Sequence, residues 1–352
     1  MRFATFVNDG HEYAGIYLDK HLDKHLDKHF DKHCDKCCDK HCNEHRDEHK
    51  GEYDSGYEYD SGYYSFNDLL DGDSLKTSDL SGGTRSASTI TMLDFIRCYE
   101  GKNLPDFREI IAEKKLKPYK QVLLRAPIPI PFRDIICVGK NYEDHAKEVE
   151  EARLLSQDDS FKTHSPVYFA KRAYPAVGHG DEIPLPGHMT QKVDYEAELA
   201  LIIGKKTHRI SSAASADIWD VIFGYTIIND LTARDIQVKH GQWFLGKSLD
   251  GFCPMGPYII SADMLPPPLH LDISCRVNGE LRQSSNTAKL IFDIPHIISE
   301  LSQGITLYPG DIISTGTPAG VGHAMKPPKH LKKGDKVECE IEKVGVLANV
   351  FS

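Results

Sequence analysis

Three acidic residues interrupt apolar stretches in the middle of the chain. Glu196 and Glu198 lie in VDYEAELALIIGK (193–205), and Asp230 directly follows the apolar run in GYTIIND. If 193–203 is a strand, Glu196 and Glu198 point to the same face, because alternate side chains of a strand do so. Buried carboxylates are costly without a cation, and three carboxylates without His or Cys suit a hard ion such as Mg²⁺ or Mn²⁺. A strand whose acids face solvent would give the same pattern, so the pattern alone leaves both alternatives open.

Two further features could take part in chemistry near such an ion. His145 and Glu148 are three residues apart in Glu143–Arg153, a segment whose charges predict a helix. Residues three apart on a helix are neighbours, so the carboxylate could orient and charge the imidazole, although a surface ion pair is the simpler interpretation. Lys247 lies close in sequence to Trp243 and other aromatic residues. There it could extend to solvent or stabilise an enolate beside a bound dication.

The elements that must position these residues are mainly strands. Runs rich in β-branched residues and the Asn278-Gly279 turn predict strands, and amphipathic or charged segments predict a smaller number of helices. The sequence therefore indicates an α+β fold that is mainly β. The expected strands are 2–7, 15–18, 121–131, 135–138, 193–203, 221–228, 271–277, 280–283 and 337–341, and the expected helices are 90–99, 107–115, 143–153 and 291–302.

A low-complexity segment stands apart from this pattern. From Leu18 the tetrapeptide LDKH repeats and decays towards Lys50, and a tract rich in Gly, Tyr and acids follows. A four-residue repeat advances about 400° along an α-helix, so its apolar residues share no single face to bury. Residues 19–65 are therefore expected to form a disordered insertion. Its possible zinc ligands lack a second, separated ligand pair, which favours incidental metal uptake over a folded site; they are Cys34, Cys37, Cys38, His41 and Cys42.

Composition limits the classes of function. The net charge of −10 comes largely from acids within 51–80, and the chain shows no basic face suited to nucleic acid. No run approaches the roughly 18 apolar residues of a membrane span, and the first residues resemble neither a signal peptide nor an Arg-rich transit peptide. We therefore expect a protein with no nucleic-acid or membrane partner, cytoplasmic by default, whose scattered cysteines are free thiols.

Seven blocks of residues between 134 and 352 carry a resemblance. They are CVGKNYEDHAKE, VDYEAELALIIGKK, GYTIINDLTARDIQ, QWFLGKSLDGFCPMGP, RVNGELRQSSNT, YPGDIISTGTPAGVG and LKKGDKVECEIEKVG. In this order they resemble the fumarylacetoacetate hydrolase family, and most of all its domain-containing 2 subfamily, whose members are described as oxaloacetate tautomerases. The resemblance implies a catalytic domain of the family's mixed β-roll or barrel type at 130–352. It also implies a small β-rich N-terminal domain, at 1–18 and 66–125, which the insertion splits.

The resemblance also implies roles for individual residues. It implies one Mg²⁺ or Mn²⁺ per active site, bound by three carboxylates. It further implies an active-site lysine beside the metal, a His/Glu pair on a mobile lid helix, and three residues that contact the substrate. The three metal ligands would be Glu196, Glu198 and Asp230, and the active-site lysine would be Lys247. The lid pair would be His145 and Glu148, and the residues that contact the substrate would be Arg234, Gln237 and Thr317.

The implied activity is that of a divalent-metal enzyme acting on a small 2-oxo acid. A metal that chelates the 1-carboxylate and the 2-oxygen makes the enolate at C2–C3 easier to form. Proton exchange at C3 then gives keto–enol tautomerisation of oxaloacetate, the favoured reaction. Attack of water on a further carbonyl, with His145 as base, gives C–C hydrolysis of an acylpyruvate instead. A third hypothesis is a metal-buffering or interaction protein that acts through its repeat. The family also implies a homodimer and makes a mitochondrial location possible.

Overall fold

Strands dominate the part of the chain that the structure describes. The computed structural model describes residues 1–18, 60–70, 90–151, 165–210 and 216–352. The strands are β1 (Arg2–Asn8), β2 (His11–Leu18), β3 (Gly62–Ser65), β4 (Leu123–Arg125), β5 (Ile135–Gly139), β6 (Val167–Lys171), β7 (Glu182–Ile183), β8 (Val193–Asp194), β9 (Ala197–Ile203), β10 (Ile222–Asn229), β11 (Thr232–Ala233), β12 (Met255–Ser261), β13 (Asp272–Val277), β14 (Glu280–Asn286), β15 (Ile312–Ser314), β16 (Lys336–Ile341) and β17 (Gly345–Phe351).

Helices are short and few by comparison. The α-helices are α1 (Phe66–Leu69), α2 (Met92–Cys98), α3 (Phe107–Lys114), α4 (Glu143–Glu151), α5 (Arg234–His240), α6 (Phe244–Lys247) and α7 (Ile294–Gly304). Short 3₁₀ turns occur at Ala216–Val221, Ala262–Met264, Thr287–Lys289 and Gly322–Ala324. Among the described residues, no helix has the length and apolar character that crossing a membrane requires.

Most strands belong to two sheets. A ten-stranded mixed sheet runs in the order β3-β2-β1-β12-β10-β9-β15-β5-β6, with β4 added beside β1. A five-stranded sheet runs in the order β14-β13-β16-β17-β7, and β8 and β11 form a separate two-stranded ladder. The predicted α+β, mainly β fold is confirmed.

Strand β9 has both faces buried. Leu199 and Leu201 pack into a core shared with the five-stranded sheet, and Ala200 and Ile202 pack into a second core shared with the N-terminal strands and helices. Alternation along the strand explains this division. Glu198 shares the face of Ala200, so its carboxylate is enclosed by protein and must find its partners there.

The predicted strand 193–203 is interrupted next to one of the acids. β8 pairs with β11 and β9 pairs with β10, and Glu196 lies in the break between them. The Glu196 N–H donates to Asn229 Oδ1 at 3.0 Å, and the Asp230 N–H donates to the Glu196 carbonyl at 2.8 Å. The expectation of one continuous strand was therefore wrong, because these contacts replace the ladder at that point. They hold Glu196 beside the end of β10, where Asp230 lies.

The N-terminal strands extend the ten-stranded sheet. β1 and β2 form the predicted hairpin, and β1 also pairs with β12. β3 pairs with β2 so that Gly62 lies opposite Leu18, and its Tyr64 is buried. The predicted insertion at 19–65 therefore ends too late, because its last residues belong to the sheet. Residues 19–59, with the possible zinc ligands, lie outside the described residues, as does the C-terminal end of the predicted helix 143–153.

We propose that residues 19–59, the part of the predicted insertion before β3, can be removed without loss of the fold. Leu18 and Gly62 are register partners in adjacent antiparallel strands, so a short turn can join their ends. A variant in which a Gly/Asn turn replaces residues 19–59 should therefore melt within a few degrees of the natural chain and keep its activity. A matched deletion of 19–65 also removes β3 and should melt at a clearly lower temperature. Equal melting of the two variants, or an inactive shorter deletion, would contradict this division of the chain.

Candidate active site

Three buried carboxylates meet where β9 begins and β10 ends. One oxygen from each of Glu196, Glu198 and Asp230 lies within 4.8 Å of the others. The three residues are only 4%, 2% and 0% exposed. The antiparallel register explains the cluster, because Ala197 pairs with Asn229 and brings the flanking acids to the same end of the two strands. Buried this deeply, the carboxylates depend on the protein or on an ion for their partners.

Neighbouring donors fix the orientation of Glu198. Its Oε2 accepts hydrogen bonds from Ser314 Oγ at 2.5 Å and from the Gly316 N–H at 3.0 Å. Ser314 ends β15, which pairs with β9, so the sheet itself brings the hydroxyl to the carboxylate. These donors replace part of the hydration that the carboxylate loses on burial.

Three buried cations surround the carboxylates. Lys247 Nζ lies 2.6 Å from both Glu196 Oε2 and Asp230 Oδ2. Arg234 Nη2 lies 2.6 Å from Glu196 Oε1, and Lys171 Nζ lies 2.7 Å from Asp230 Oδ1. The site is therefore a compact network of paired charges rather than a set of isolated acids.

The guanidinium of Arg234 is held from behind by a second set of contacts. Its Nε donates to Asp194 Oδ2 at 2.8 Å, and its Nη1 donates to Gln237 Oε1 at 3.2 Å. Asp194 in turn accepts hydrogen bonds from the backbone N–H groups of Gly322 and His323, at 2.7 and 3.0 Å. These contacts fix the planar guanidinium, and they explain why Arg234 and Gln237 face the same cavity from the first turns of α5.

Repulsion between the carboxylates persists at Glu198 despite the three neighbouring cations. Burial, and then the negative charges of Asp230 and Glu196, raise the pKa of Glu198 to about 8. Burial acts in the same direction on Glu196, but Lys247 and Arg234 outweigh it and lower the pKa of Glu196. A divalent ion among the carboxylates would remove this repulsion, and a donor set made only of oxygens is the one that Mg²⁺ and Mn²⁺ prefer. The residues present therefore fit a hard divalent ion.

The His/Glu pair lies on α4 at the wall of the same cavity. His145 Nδ1 is 3.2 Å from Glu148 Oε2, and His145 is 5% exposed. The Gly320 N–H donates to both carboxylate oxygens of Glu148, at 2.9 and 3.1 Å. α4 is thus fastened to the loop that follows β15. With Nδ1 engaged, Nε2 is the imidazole nitrogen that can serve a ligand.

Thr317 lies in the loop after β15, and protein groups already occupy its hydroxyl. Oγ1 donates to the Ala197 carbonyl at 3.0 Å and accepts from Gln283 Nε2 at 2.8 Å. Gln283 also donates to the carbonyl of Pro318 at 2.7 Å, so its amide ties the loop together. A contact between Thr317 and a substrate carboxylate therefore falls to the loop backbone, and it stays a prediction.

One cavity brings the predicted site residues together. It encloses about 410 Å³, its open mouth included. Of the nine predicted residues, Asp230 reaches it through its contact with Lys247, and Glu148 through its contact with His145. The other seven line it directly: His145, Glu196, Glu198, Arg234, Gln237, Lys247 and Thr317.

Several residues of the site were missed in the sequence. Lys171 is 0% exposed and contacts a carboxylate of the cluster, yet a lysine that ends the strand VYFAK gives no sign of burial. Asp194 precedes the acids by two residues but was not distinguished from an ordinary strand residue. Lys140, Phe169 and Trp243 also line the cavity, and only the fold brings them there.

Known proteins resemble this chain over most of its length. Residues 134–352 match the family model described as fumarylacetoacetate (FAA) hydrolase C-terminal. Oxaloacetate tautomerase YisK of Bacillus subtilis is 48% identical over 229 residues, which are 65% of this chain and 73% of that protein. Oxaloacetate tautomerase Fahd2a, mitochondrial, of Rattus norvegicus is 42% identical over 279 residues, which are 77% of this chain and 85% of that protein.

A solved structure extends the similarity to the whole chain. It is the fumarylacetoacetate hydrolase (EaFAH) from psychrophilic Exiguobacterium antarcticum, with a TM-score of 0.70 and 33% identity, and the match covers 100% of this chain and 99% of that chain. The family model spans more than half of the present sequence and includes the carboxylate cluster, α4 and the loop after β15. The chain belongs to the fumarylacetoacetate hydrolase family and is an enzyme of that family.

Proposed function

We propose that the protein is a divalent-metal-dependent oxaloacetate tautomerase. The observation that carries the proposal is the buried trio of Glu196, Glu198 and Asp230, with Lys247 Nζ at 2.6 Å from two of its members. Such a site can receive the 2-oxo acid end of a small substrate. The relatives from Bacillus subtilis and Rattus norvegicus are both named oxaloacetate tautomerases, which supports this choice of substrate.

In this proposal one end of the site binds the ion, and we call it the metal end. Glu196, Glu198 and Asp230 hold one Mg²⁺ or Mn²⁺, which acts as a Lewis acid and lowers the free energy of a substrate enolate. Lys247 adds a positive charge beside the 2-oxygen, where negative charge develops. Because Lys247 is only 2% exposed, its charge is little screened by water and acts strongly on that oxygen.

The substrate is held by groups around this end. We propose that Arg234 and Gln237 contact substrate oxygens and that the backbone at Thr317 binds a carboxylate. In tautomerisation the C3–H bond breaks in one direction and an O–H bond forms at the 2-oxygen, so a single proton must be relayed. Water or Lys247 can carry that proton, which makes His145 dispensable for this reaction.

Hydrolysis of an acylpyruvate is the second candidate function, and the His145–Glu148 pair is the observation that favours it. Glu148 is fixed by the Gly320 N–H and lies 3.2 Å from His145 Nδ1, as a base that deprotonates water requires. In that reaction His145 takes a proton from water and the resulting hydroxide adds to the carbonyl carbon beyond C3. The bond between that carbon and C3 then breaks, and its electrons form a C2–C3 enolate that takes up a proton at C3. The metal end would serve both reactions equally.

An assay of both reactions, with His145→Ala beside the natural chain, tests the proposal. With Mg²⁺ or Mn²⁺ present, the natural chain should accelerate the loss of enol-oxaloacetate absorbance far more than the cleavage of any acylpyruvate in a panel. His145→Ala should keep tautomerisation within about tenfold of the natural chain and should lower any hydrolysis by about 10²-fold or more. Preferred cleavage of an acylpyruvate would reject the proposal. Equal loss of both reactions in His145→Ala would show that the pair carries the proton in both.

We also propose that the chain forms a homodimer. Val238, Phe244 and Leu245 are 50%, 39% and 41% exposed on the neighbouring helices α5 and α6, and exposed apolar side chains are common at protein interfaces. The expected cytoplasmic location stays a prediction, and the name of the rat relative places that protein in mitochondria.

A further inference from the structure

Lys171 is a fully enclosed lysine beside the carboxylate cluster, and the reaction proposed above does not use it. It ends β6 and is 0% exposed. Phe169 lines the cavity from the same strand, whereas Lys171 lies behind the wall. A side chain that does not reach the cavity cannot touch a substrate, so any effect on the reaction passes through the groups that Lys171 contacts. Burial of an ammonium costs free energy unless acceptors surround it, so those contacts hold the amine firmly.

The amine of Lys171 contacts three groups from two other parts of the chain. Nζ lies 2.7 Å from Asp230 Oδ1 and donates to the backbone carbonyls of Leu231, at 3.2 Å, and of Lys247. Asp230 and Leu231 directly follow β10, and Lys247 is the last residue of α6. One ammonium with three donor hydrogens therefore joins the ends of β6, β10 and α6.

The contact with the Lys247 carbonyl explains how α6 ends. The last carbonyls of an α-helix have no donor within the helix, and a lysine side chain can supply one. Lys247 is also contacted at its other end, because its Nζ lies 5.2 Å from the centre of the Phe169 ring. Phe169 and Lys171 are two residues apart in β6 and so share a face of the strand. That face of β6 therefore contacts Lys247 at both its carbonyl and its amine.

We propose that Lys171 is a positioning residue, which fixes the Asp230 carboxylate and the main chain of Lys247 relative to each other. The two lysines contact opposite oxygens of that carboxylate, Lys171 at Oδ1 and Lys247 at Oδ2, 2.7 and 2.6 Å away. Lys171 thus sets where the Lys247 amine lies beside the metal end. Small displacements of a reacting group are costly, since about 1 Å can lower a rate by about 10²-fold. The inference rests on the proposed function for the role of Lys247 in the reaction.

The affinity for Mn²⁺ separates positioning from charge balance. By charge alone, Lys171→Met should tighten Mn²⁺ binding, because it removes a positive charge from beside a proposed ligand. By positioning, the variant should bind Mn²⁺ more weakly, and we expect its Kd to rise by about tenfold to a hundredfold. Calorimetry measures this Kd, with the ions that Glu198→Gln binds subtracted. An unchanged or lower Kd would overturn the inference.

Steady-state kinetics at saturating Mn²⁺ tests the effect on Lys247. Lys171→Met should lower kcat for enol-oxaloacetate by about tenfold to a hundredfold and change KM by less than about threefold, because Lys247 acts on charge that develops in the transition state. A lysine that only stabilised the fold would lower the melting temperature and leave kcat per folded molecule unchanged, and that result would overturn the inference. Lys205→Met is the matched control, because Lys205 is exposed beyond the far end of β9 and should change neither kcat nor the Kd of Mn²⁺.

A pair of crystal structures tests the same claim without metal or activity. Asp230→Asn keeps the Lys171 contact with the Lys247 carbonyl, and adding Lys171→Met removes it. The double variant removes the buried charge pair as a whole, so it should fold even if Lys171→Met alone does not. Lys247 Nζ should keep its contact with Glu196 Oε2 in Asp230→Asn and lose it in the double variant. The same Lys247 position in both would overturn the inference, whereas displacement in a chain without tautomerase activity would reject the proposed function alone.

Discussion

Glu198→Gln should abolish tautomerisation while the protein stays folded. The substitution removes one of three carboxylates whose oxygens lie within 4.8 Å, and with it a charged ligand of the ion. We expect kcat/KM for enol-oxaloacetate to fall by about a thousandfold or more, because the Lewis acid is lost, and an excess of chelator should have the same effect on the natural chain. Mg²⁺ or Mn²⁺ should restore the chelated natural chain but not the variant.

The stability of this variant separates loss of metal from loss of fold. Glutamine can still accept the hydrogen bonds that Ser314 Oγ and the Gly316 N–H donate to Glu198. It also removes a negative charge from beside Asp230 and Glu196, so the metal-free variant should melt no lower than the metal-free natural chain. Glu340→Gln, an exposed change on β16, is the matched control and should keep full activity. Full activity of Glu198→Gln would remove this carboxylate from the proposed metal site.

Lys247→Met should lower tautomerisation by about a hundredfold to a thousandfold, because it removes the buried positive charge beside the 2-oxygen. Its Nζ lies 2.6 Å from Glu196 Oε2 and Asp230 Oδ2, so the same change removes a partner from two carboxylates. The metal-free variant should therefore melt at a lower temperature than the metal-free natural chain, and Mn²⁺ should recover part of the difference. Steady-state kinetics and thermal melts with and without Mn²⁺ measure both effects.

Lys239→Met is the matched control for this second prediction. Lys239 is an exposed lysine near the end of α5, the helix that precedes α6. The same loss of charge and of side-chain length there should change neither activity nor melting. Unchanged kinetics in Lys247→Met would show that the lysine only balances charge in the metal-free protein.

Much of the element pattern was predictable because it follows from local sequence. The predicted helix at 90–99 appears in the structure as Met92–Cys98, and Thr91 and Asp94 form a capping box at its start. The Asn278-Gly279 turn fixed the β13–β14 hairpin for a similar reason, since both residues adopt positive φ there. Such features depend on a few adjacent residues, and distant parts of the chain do not override them.

The parts that the sequence pattern missed depend on residues far apart in the chain. The break at Glu196 is made by Asn229, which is 33 residues away and accepts the backbone hydrogen bond that a neighbouring strand would otherwise take. Lys171 ends a strand whose residues give no sign that its amine will lie 2.7 Å from Asp230. The residue assignments of the site came from the family resemblance, and the carboxylate pattern alone left a plain amphipathic strand as an alternative.

A titration of metal-free protein with Mn²⁺ tests the central claim most directly, with bound ion and enol-oxaloacetate tautomerisation measured in the same samples. A parallel titration of Glu198→Gln, which keeps the His/Cys-rich repeat, measures the ions bound outside the carboxylate cluster, and this amount is subtracted. After this correction, activity should rise in proportion to bound ion and saturate at one ion per chain. Full tautomerase activity before any ion binds, or no activity once one ion per chain is bound, would contradict the account.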